Sequence, residues 1–405
     1  EADRRGIPWR RIGQDIVHLG QGRYQRRFTA NYTEHASLLS VQISSNKYMT
    51  NQLLRESCLP IPRQRSVANR GDAVRAANSL GYPIVVKPMS ADFGDGVAVG
   101  LDTASEVEAA YENAQKFSQL VIVETFIPGN DYRLVVIDGK FVAAAQRVHA
   151  HVVGDGVATV AELVERKNIL RQPKPSEQWS LNPLLLDEEA DRFLARIGMT
   201  RTSIPEPGRQ VFLRGTANMK TGGTSINVTD QVHPDIRSMA VDAAAAVGLD
   251  IAGIDYLTPD ISRSNQEVGG AICEVNCRPG PRVHIMAGGD GLDRIISAQV
   301  DYIFLEGTAA RIFSIAVLGD ELGTLSACMI VDVLNESGRN TGVSSENKIL
   351  VNGNWTTNYA MSSARTARNL LRHPKIDAAI LDMTARDVIE EGLFSKFSID
   401  EVYAM

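Results

Sequence analysis

Charges set inside apolar runs constrain this chain more than any other feature of its sequence. YPIVVKP (82–88) carries Lys87, DIAGIDYLT (250–258) encloses Asp255, and GAICEVN (270–276) holds Glu274 and Asn276. Each run reads as a buried strand, and a charge left there without a partner is costly. Lys87 therefore needs an anion nearby. Residues two apart on a strand share a face, so Glu274 and Asn276 point one way and Cys273, Val275 and Cys277 the other. Two carboxylates and an amide oxygen on adjacent strands make an oxygen-rich site that suits Mg²⁺ and leaves room for phosphate oxygens. Taken singly, each of the three is more simply a strand-end residue meeting solvent. Arg133 and Arg214 also lie in apolar strands, where contact with a carboxylate or phosphate best explains a guanidinium. Arg214, Thr216 and Asn218 would share one strand face.

Other candidates are weaker alone. SADFGDGVAVG places Gly94 and Gly96 within ten residues of Lys87. Glycines let backbone N–H groups approach phosphates closely, although a plain turn is the simpler reading. Glu124, two residues before Phe126 in LVIVETF, pairs an acceptor with an aromatic face, which suits a purine edge. Arg278, Arg282 and His284 in CRPGPRVH follow the Glu274 strand and form either a carboxylate clamp or a solvated basic loop. His149, His151 and His284 read as structural or substrate contacts rather than metal ligands. No Ser-His-Asp or Cys-His nucleophile arrangement is evident.

Composition removes several classes. A length of 405 residues implies two or three domains. Lys plus Arg number 42 against 48 Asp plus Glu, a net charge of −6, which argues against a general nucleic-acid binder. No run approaches the roughly 18 apolar residues of a membrane span, and the opening EADRRGIPWRR has no signal-peptide core. Cys58, Cys273, Cys277 and Cys328 are too few and too scattered for a disulfide scaffold. A cytoplasmic, multidomain enzyme is the expectation. The first residue, Glu1, suits a chain trimmed or cut from a longer one.

Along the chain, a basic cluster (Arg23, Arg26, Arg27) precedes the alternating run SLLSVQI. Helices are predicted from about Ser45 to before Pro60, over GDAVRAANSL, from a Thr103–Glu106 capping box to about Lys116, over LLLDEEADRFLARIG and over DIRSMAVDAAAAVG. DYRLVVIDGKFVAAAQRV predicts a hairpin turning at Asp138-Gly139. Residues 151–210 read as a polar elaboration, and QVFLRGTAN as a strand. Beyond about 310 the pattern restarts with IFSIAVLG, KILVNGN, RTARNLLRH and DAAILDM. The pattern suggests an α+β body and an α/β tail. The expected divisions are 1–46, an N-terminal segment of the body; 47–130, a nucleotide-binding lobe; 131–310, a catalytic lobe with the insertion at about 151–210; and 311–405, the tail.

Together these features resemble the ATP-grasp superfamily, and within it the ligase domain of the cyanophycin synthetases. LGQGRYQRRF, SSNKYMTNQLLRE, YPIVVKP, VETFIPGNDYRLVVIDGK, AHVVGDGVATVAELV, LRGTANMKTGGTSINVTDQVHP, AGIDYLTPDIS and GGAICEVNCRPGPRVH carry the likeness in order from residue 19 to about 290. The resemblance implies two α+β lobes around a nucleotide. It implies a ligase that uses ATP and Mg²⁺ to activate a carboxylate as an acyl phosphate and passes the acyl group to an amine. Lys47 and Lys87 would contact phosphates. Glu124 would meet the adenine and Asp131 the ribose, with Gly94, Gly96, Phe126, Ile127 and Arg133 among the other nucleotide contacts. Asp255, Glu274 and Asn276 would hold Mg²⁺, while Arg214 and Asn218 would steady the phosphoryl transfer. The substrates implied are an amino-acid or short-peptide carboxylate and an amine, with no nucleic acid or membrane, in a homo-oligomer.

Two departures accompany the likeness. Phe93 and Asp95 stand in the glycine-rich loop where the family usually has His and Arg, and an acid there repels a triphosphate. Residues from about 311 resemble the start of a Mur-ligase-like domain, but Thr324 stands where that family's phosphate lysine belongs, beside Asp320 and Glu321. The tail therefore reads as a short, nucleotide-incompetent remnant, leaving a single ATP site. The family's separate domain upstream of the ATP-grasp part is also missing from the sequence. Asp95 and the broken tail motivate the alternative of a catalytically silent binding or scaffold subunit.

Overall fold

The computed structural model describes the chain apart from residues 30–31, 91–94, 173–180, 216, 218, 306–307, 320, 347, 358–362, 385, 387, 390–400 and 405. It contains two compact units, residues 35–299 and residues 1–34 with 300–405. The expected divisions at 46/47 and 310/311 thus differ from the observed ones. The N-terminal segment belongs with the tail because its backbone bonds there, as in Gly22 N–H to Leu371 O at 2.8 Å and Arg23 N–H to Ile376 O at 2.8 Å.

In the larger unit, a four-stranded antiparallel sheet has the order Gln64–Val67, Val121–Thr125, Ile84–Pro88, Ala98–Leu101. Helices Arg70–Leu80 and Ala104–Ala114 cover it through Ala73, Ala77, Val107 and Ala114. Local chemistry sets their ends. Asn69 caps the first through Asp72 N–H, and Gly81, at φ +88°, stops it. Thr103 and Glu106 form the expected capping box on the second.

The second sheet has five strands in the order Thr224–Asn227, Lys140–Val148, Asn130–Ile137, Ile251–Thr258, Ala271–Asn276. The hairpin turns where expected: Asp138 and Gly139 have φ of +51° and +65°, the conformation a two-residue primed turn requires. Leu134, Val136, Ile254, Tyr256 and Val275 fill one face against helix Pro234–Val247. Each side chain of this size, fully buried, contributes about 1.5–3 kcal/mol.

Two local readings are corrected. SLLSVQI is helical, not alternating: Ser37 caps a helix over Leu38–Ser44. Asn46 then accepts from Tyr48 and Met49 N–H and starts a separate helix, Lys47–Glu56. Leu38 and Leu39 of the first helix are exposed while Ser40 and Ser44 are buried, so apolar character misreports which face packs. The polar insertion has its own core: Val160, Val164, Leu184, Leu194, Val211 and Leu213 pack together. Strands His151–Val153 and Gln210–Phe212 pair beside it.

In the smaller unit, a six-stranded sheet runs Asn354–Thr357, Lys348–Val351, Thr341–Ser345, Ala378–Met383, Phe313–Leu318, Glu401–Ala404, the last four parallel. A four-stranded antiparallel sheet spans residues 9–33. Among the described residues no helix is long and apolar enough to cross a membrane.

Candidate active site

Strand register puts the charged residues in one place. Arg133 lies directly opposite Asp255, and Asp255 opposite Glu274, across three adjacent strands. Asn276 pairs with Gly253 two residues away, and Arg147 pairs with Asp131 on the other side. Directly opposed residues share a face, so all six stand on the face away from the apolar core.

Their charges interlock. Arg133 Nε donates to Asp255 Oδ1 at 2.5 Å, and Arg147 Nη2 lies 3.0 Å from Asp255 Oδ2. Arg147 also donates to Asp131 Oδ1, from Nη2 at 2.7 Å and Nε at 3.0 Å. Burial opposes ionisation of Asp255, but Arg133 and Arg147 more than offset it and hold its carboxyl below the usual range. Burial, with Asp255 close by, pushes Asp131 up despite Arg147. Gly253 makes room for this arrangement: a Cβ there would lie 2.6 Å from Pro279 Cβ and 2.9 Å from Arg133 Nη1.

Lysines meet the carboxylates from two other elements. Lys47, in the first turn of its helix, lies 3.8 Å from Glu274. Lys87 Nζ lies 2.7 Å from Glu124 Oε1, both side chains largely buried. Burial pushes Lys87 down, but Glu124 chiefly, with Cys273 and Glu274, raises it above its ordinary value. The Glu124 Oε2 atom is buried with no hydrogen-bond partner among the described residues, an acceptor open to a ligand donor. Phe126 and Ile127 are half-buried between strands Val121–Thr125 and Asn130–Ile137. Gly96 has φ +72°, and a Cβ would strike Phe117 at 2.7 Å and Pro88 at 2.9 Å, so a tight turn alone accounts for it.

The remaining expectations divide. Arg214 is not on a strand, which ends at Phe212 when Leu213 N–H turns to Ala150 O at 2.8 Å. Its guanidinium is buried against Asp187, at 2.7 Å from both Nη1 and Nη2. Gly94, Phe93, Thr216 and Asn218 lie outside the described residues. Arg282 Nη2 donates to Asn182 Oδ1 at 3.2 Å, and Arg278 is exposed. His284 is buried, and burial, aided by Arg133, pushes it down to about 4. His149 and His151 flank Phe212 edge-on.

Cys273 corrects the face assignment. The register slips between Asp255 and Tyr256, leaving Cys273 as the extra residue of a bulge, a feature that re-aims side chains beside active sites. Cys273 is half-buried, and its thiol is pushed up by desolvation and by Glu124, with Asp131 and Asp255 adding to the effect and Lys87 opposing it. Arg147 was missed in the sequence; the hairpin register that places it opposite Asp131 was the available signal.

The donor set fits a hard cation. Asp255 and Glu274 offer carboxylate oxygens on the face away from the apolar core, Asn276 has its amide oxygen left while Nδ2 donates to Gly253 O, and a carboxylate has lone pairs left after accepting from two guanidiniums. Among the described residues no three His, Cys, Asp or Glu side chains cluster as a metal site.

Comparisons with known proteins bear on the fold that carries this face. The family described as D-ala D-ala ligase C-terminus matches residues 57–157. A cyanophycin synthetase of Nostoc sp. is 34% identical over 401 residues, 97% of this chain and 44% of that protein. A glutathione biosynthesis bifunctional protein of Clostridium perfringens is 30% identical over 292 residues, 70% of this chain and 37% of its own length. The solved bifunctional glutathione synthetase from Pasteurella multocida superposes with a TM-score of 0.54 at 28% identity, covering 74% of this chain and 43% of that one. The chain is an ATP-grasp protein similar to cyanophycin synthetase. It spans less than half the length of the cyanophycin synthetases it matches, 44% of the Nostoc protein and 46% of one from Synechocystis sp..

Proposed function

We propose that the protein is an ATP-dependent carboxylate–amine ligase with one functional ATP site. The observation that carries this reading is the convergence of Lys47 and Lys87 on the face bearing Asp255, Glu274 and Asn276. Phosphoryl transfer asks a protein mainly for positioning and charge neutralisation, and this face supplies both. A carboxylate oxygen of the substrate attacks the γ-phosphorus and ADP leaves; an amine nitrogen then attacks the acyl carbon and phosphate leaves. Asp255, Glu274 and Asn276 would hold Mg²⁺, which would supply charge neutralisation at the phosphate oxygens. Lys87 stays protonated in its buried site and holds phosphate oxygens, while Glu124, Phe126 and Ile127 receive the base. In this proposal residues 47–130 bind the nucleotide and 131–310 carry the chemistry. Arg278 and Arg282, beyond the metal strand, hold the substrate carboxylate.

One observation favours a second reading, a silent binding subunit: both oxygens of Asp255 already accept from guanidiniums. ADP release, measured against a panel of amino acids and short acidic peptides, separates the two. A ligase sustains ADP release over many turnovers only when both carboxylate and amine are supplied. Binding of an ATP analogue without ADP release on any pair would favour the silent subunit.

A further inference from the structure

In the smaller unit lies a cavity of about 320 Å³ that the ligase chemistry does not use. Trp9, Arg10, His18, Arg311, Arg368 and Arg372 line it. Backbone bonds assemble it from distant segments: Gln21 N–H donates to Ala310 O at 2.9 Å and Gly22 N–H to Leu371 O at 2.8 Å. Strand register sets Arg10 opposite His18. Four guanidiniums therefore face one concavity, and its one lining carboxylate, Asp3, accepts from Trp9 Nε1 at 2.7 Å.

Two buried polar atoms at this cavity have no hydrogen-bond partner among the described residues. Arg10 Nε donates to His18 Nδ1 at 3.2 Å, which leaves the ring proton on Nε2. His18 is 4% exposed, and that Nε2 has no hydrogen-bond partner among the described residues, although the Gln25 side chain lies close to the ring. Gln21, 7% exposed, also leaves Oε1 unpartnered. The Arg372 guanidinium has no carboxylate or other acceptor among the described residues, and burial followed by Arg10 and Arg368 pushes it below its ordinary value. Like charges gathered in a half-buried concavity oppose folding unless an anion joins them.

We propose that this cavity binds a small polyanion carrying at least two phosphate or carboxylate groups. Guanidinium forks match the planar oxygens of either group two at a time, and the buried His18 N–H supplies a further neutral donor. The exposed indole of Trp9 stands at the same site.

Calorimetry of the full chain in metal-free, low-chloride buffer tests this with two probes, inorganic pyrophosphate and citrate. One equivalent of either probe should bind, should quench or shift Trp9 fluorescence and should raise the melting temperature. Pyrophosphate alone would mark a phosphorylated ligand, citrate alone a polycarboxylate; either outcome supports the site. Losing two forks in Arg368→Gln/Arg372→Gln should weaken binding by roughly 10-fold or more. Trp9→Phe should abolish the fluorescence change but keep the heat. Should the double variant not fold, Arg10→Gln and Arg372→Lys provide the same comparison. Lys87→Ala should leave this binding unchanged. Absence of binding by both probes, equal binding in the fork variants, or loss in Lys87→Ala would overturn the proposal.

Discussion

Asp255 accepts from two guanidiniums and faces a second carboxylate, Glu274, so small changes around it have large expected effects. Arg147 is the shared partner of Asp131 and Asp255. Arg147→Met should destabilise the protein by about 3–5 kcal/mol, the usual result of removing one partner from a buried ionic set. Urea unfolding measures it, and adding Asp131→Asn should recover part of the loss. His284 gives a pH signature. Its ordinary value near 6.5 falls to about 4 in the folded protein, so the unfolded chain takes up the proton first. Stability is therefore full above pH 6.5 and declines by roughly 3 kcal/mol as pH falls towards 4. His284→Gln should flatten that decline, as denaturant midpoints between pH 4 and 7 would reveal.

At the scale of elements, much was legible because local chemistry agreed with the tertiary outcome. The Thr103–Glu106 box, the Asp138-Gly139 turn and the apolar strands around Lys87, Asp255 and Glu274 all stand where the sequence placed them. Thr103→Ala should remove about 1 kcal/mol, measured by thermal unfolding, because the helix loses its N-cap acceptor. What escaped the sequence was non-local. The face of Cys273 depends on a bulge that strict alternation along a single strand does not show. Arg214 left its strand because the insertion supplied Asp187, 27 residues earlier, as a carboxylate partner at the surface end of its buried guanidinium. The helix at Leu38–Ser44 was hidden because its buried positions are serines. Candidate site residues were legible where a charge interrupted an apolar run; Arg147 was not, since its run ends in polar residues.

At the scale of the whole molecule, the division into 35–299 and 1–34 with 300–405 assigns the described site residues to the larger unit. The smaller unit keeps a parallel sheet, yet Thr324 Oγ1 donates to Asp382 Oδ2 at 2.5 Å where a phosphate lysine would be needed. Calorimetry with a non-hydrolysable ATP analogue should accordingly give one equivalent lost in Lys87→Ala; a further equivalent that survives Arg368→Gln/Arg372→Gln would restore the tail as a nucleotide site. The central claim is that the face shared by Asp255, Glu274 and Asn276 drives ATP-dependent ligation. ADP release by the native protein and by Glu274→Gln, each checked for native fold by circular dichroism, tests it most directly. The account predicts turnover in the native protein and a loss of several kcal/mol of transition-state stabilisation, effectively no turnover, in Glu274→Gln. Near-native ADP release by a folded Glu274→Gln protein would contradict it.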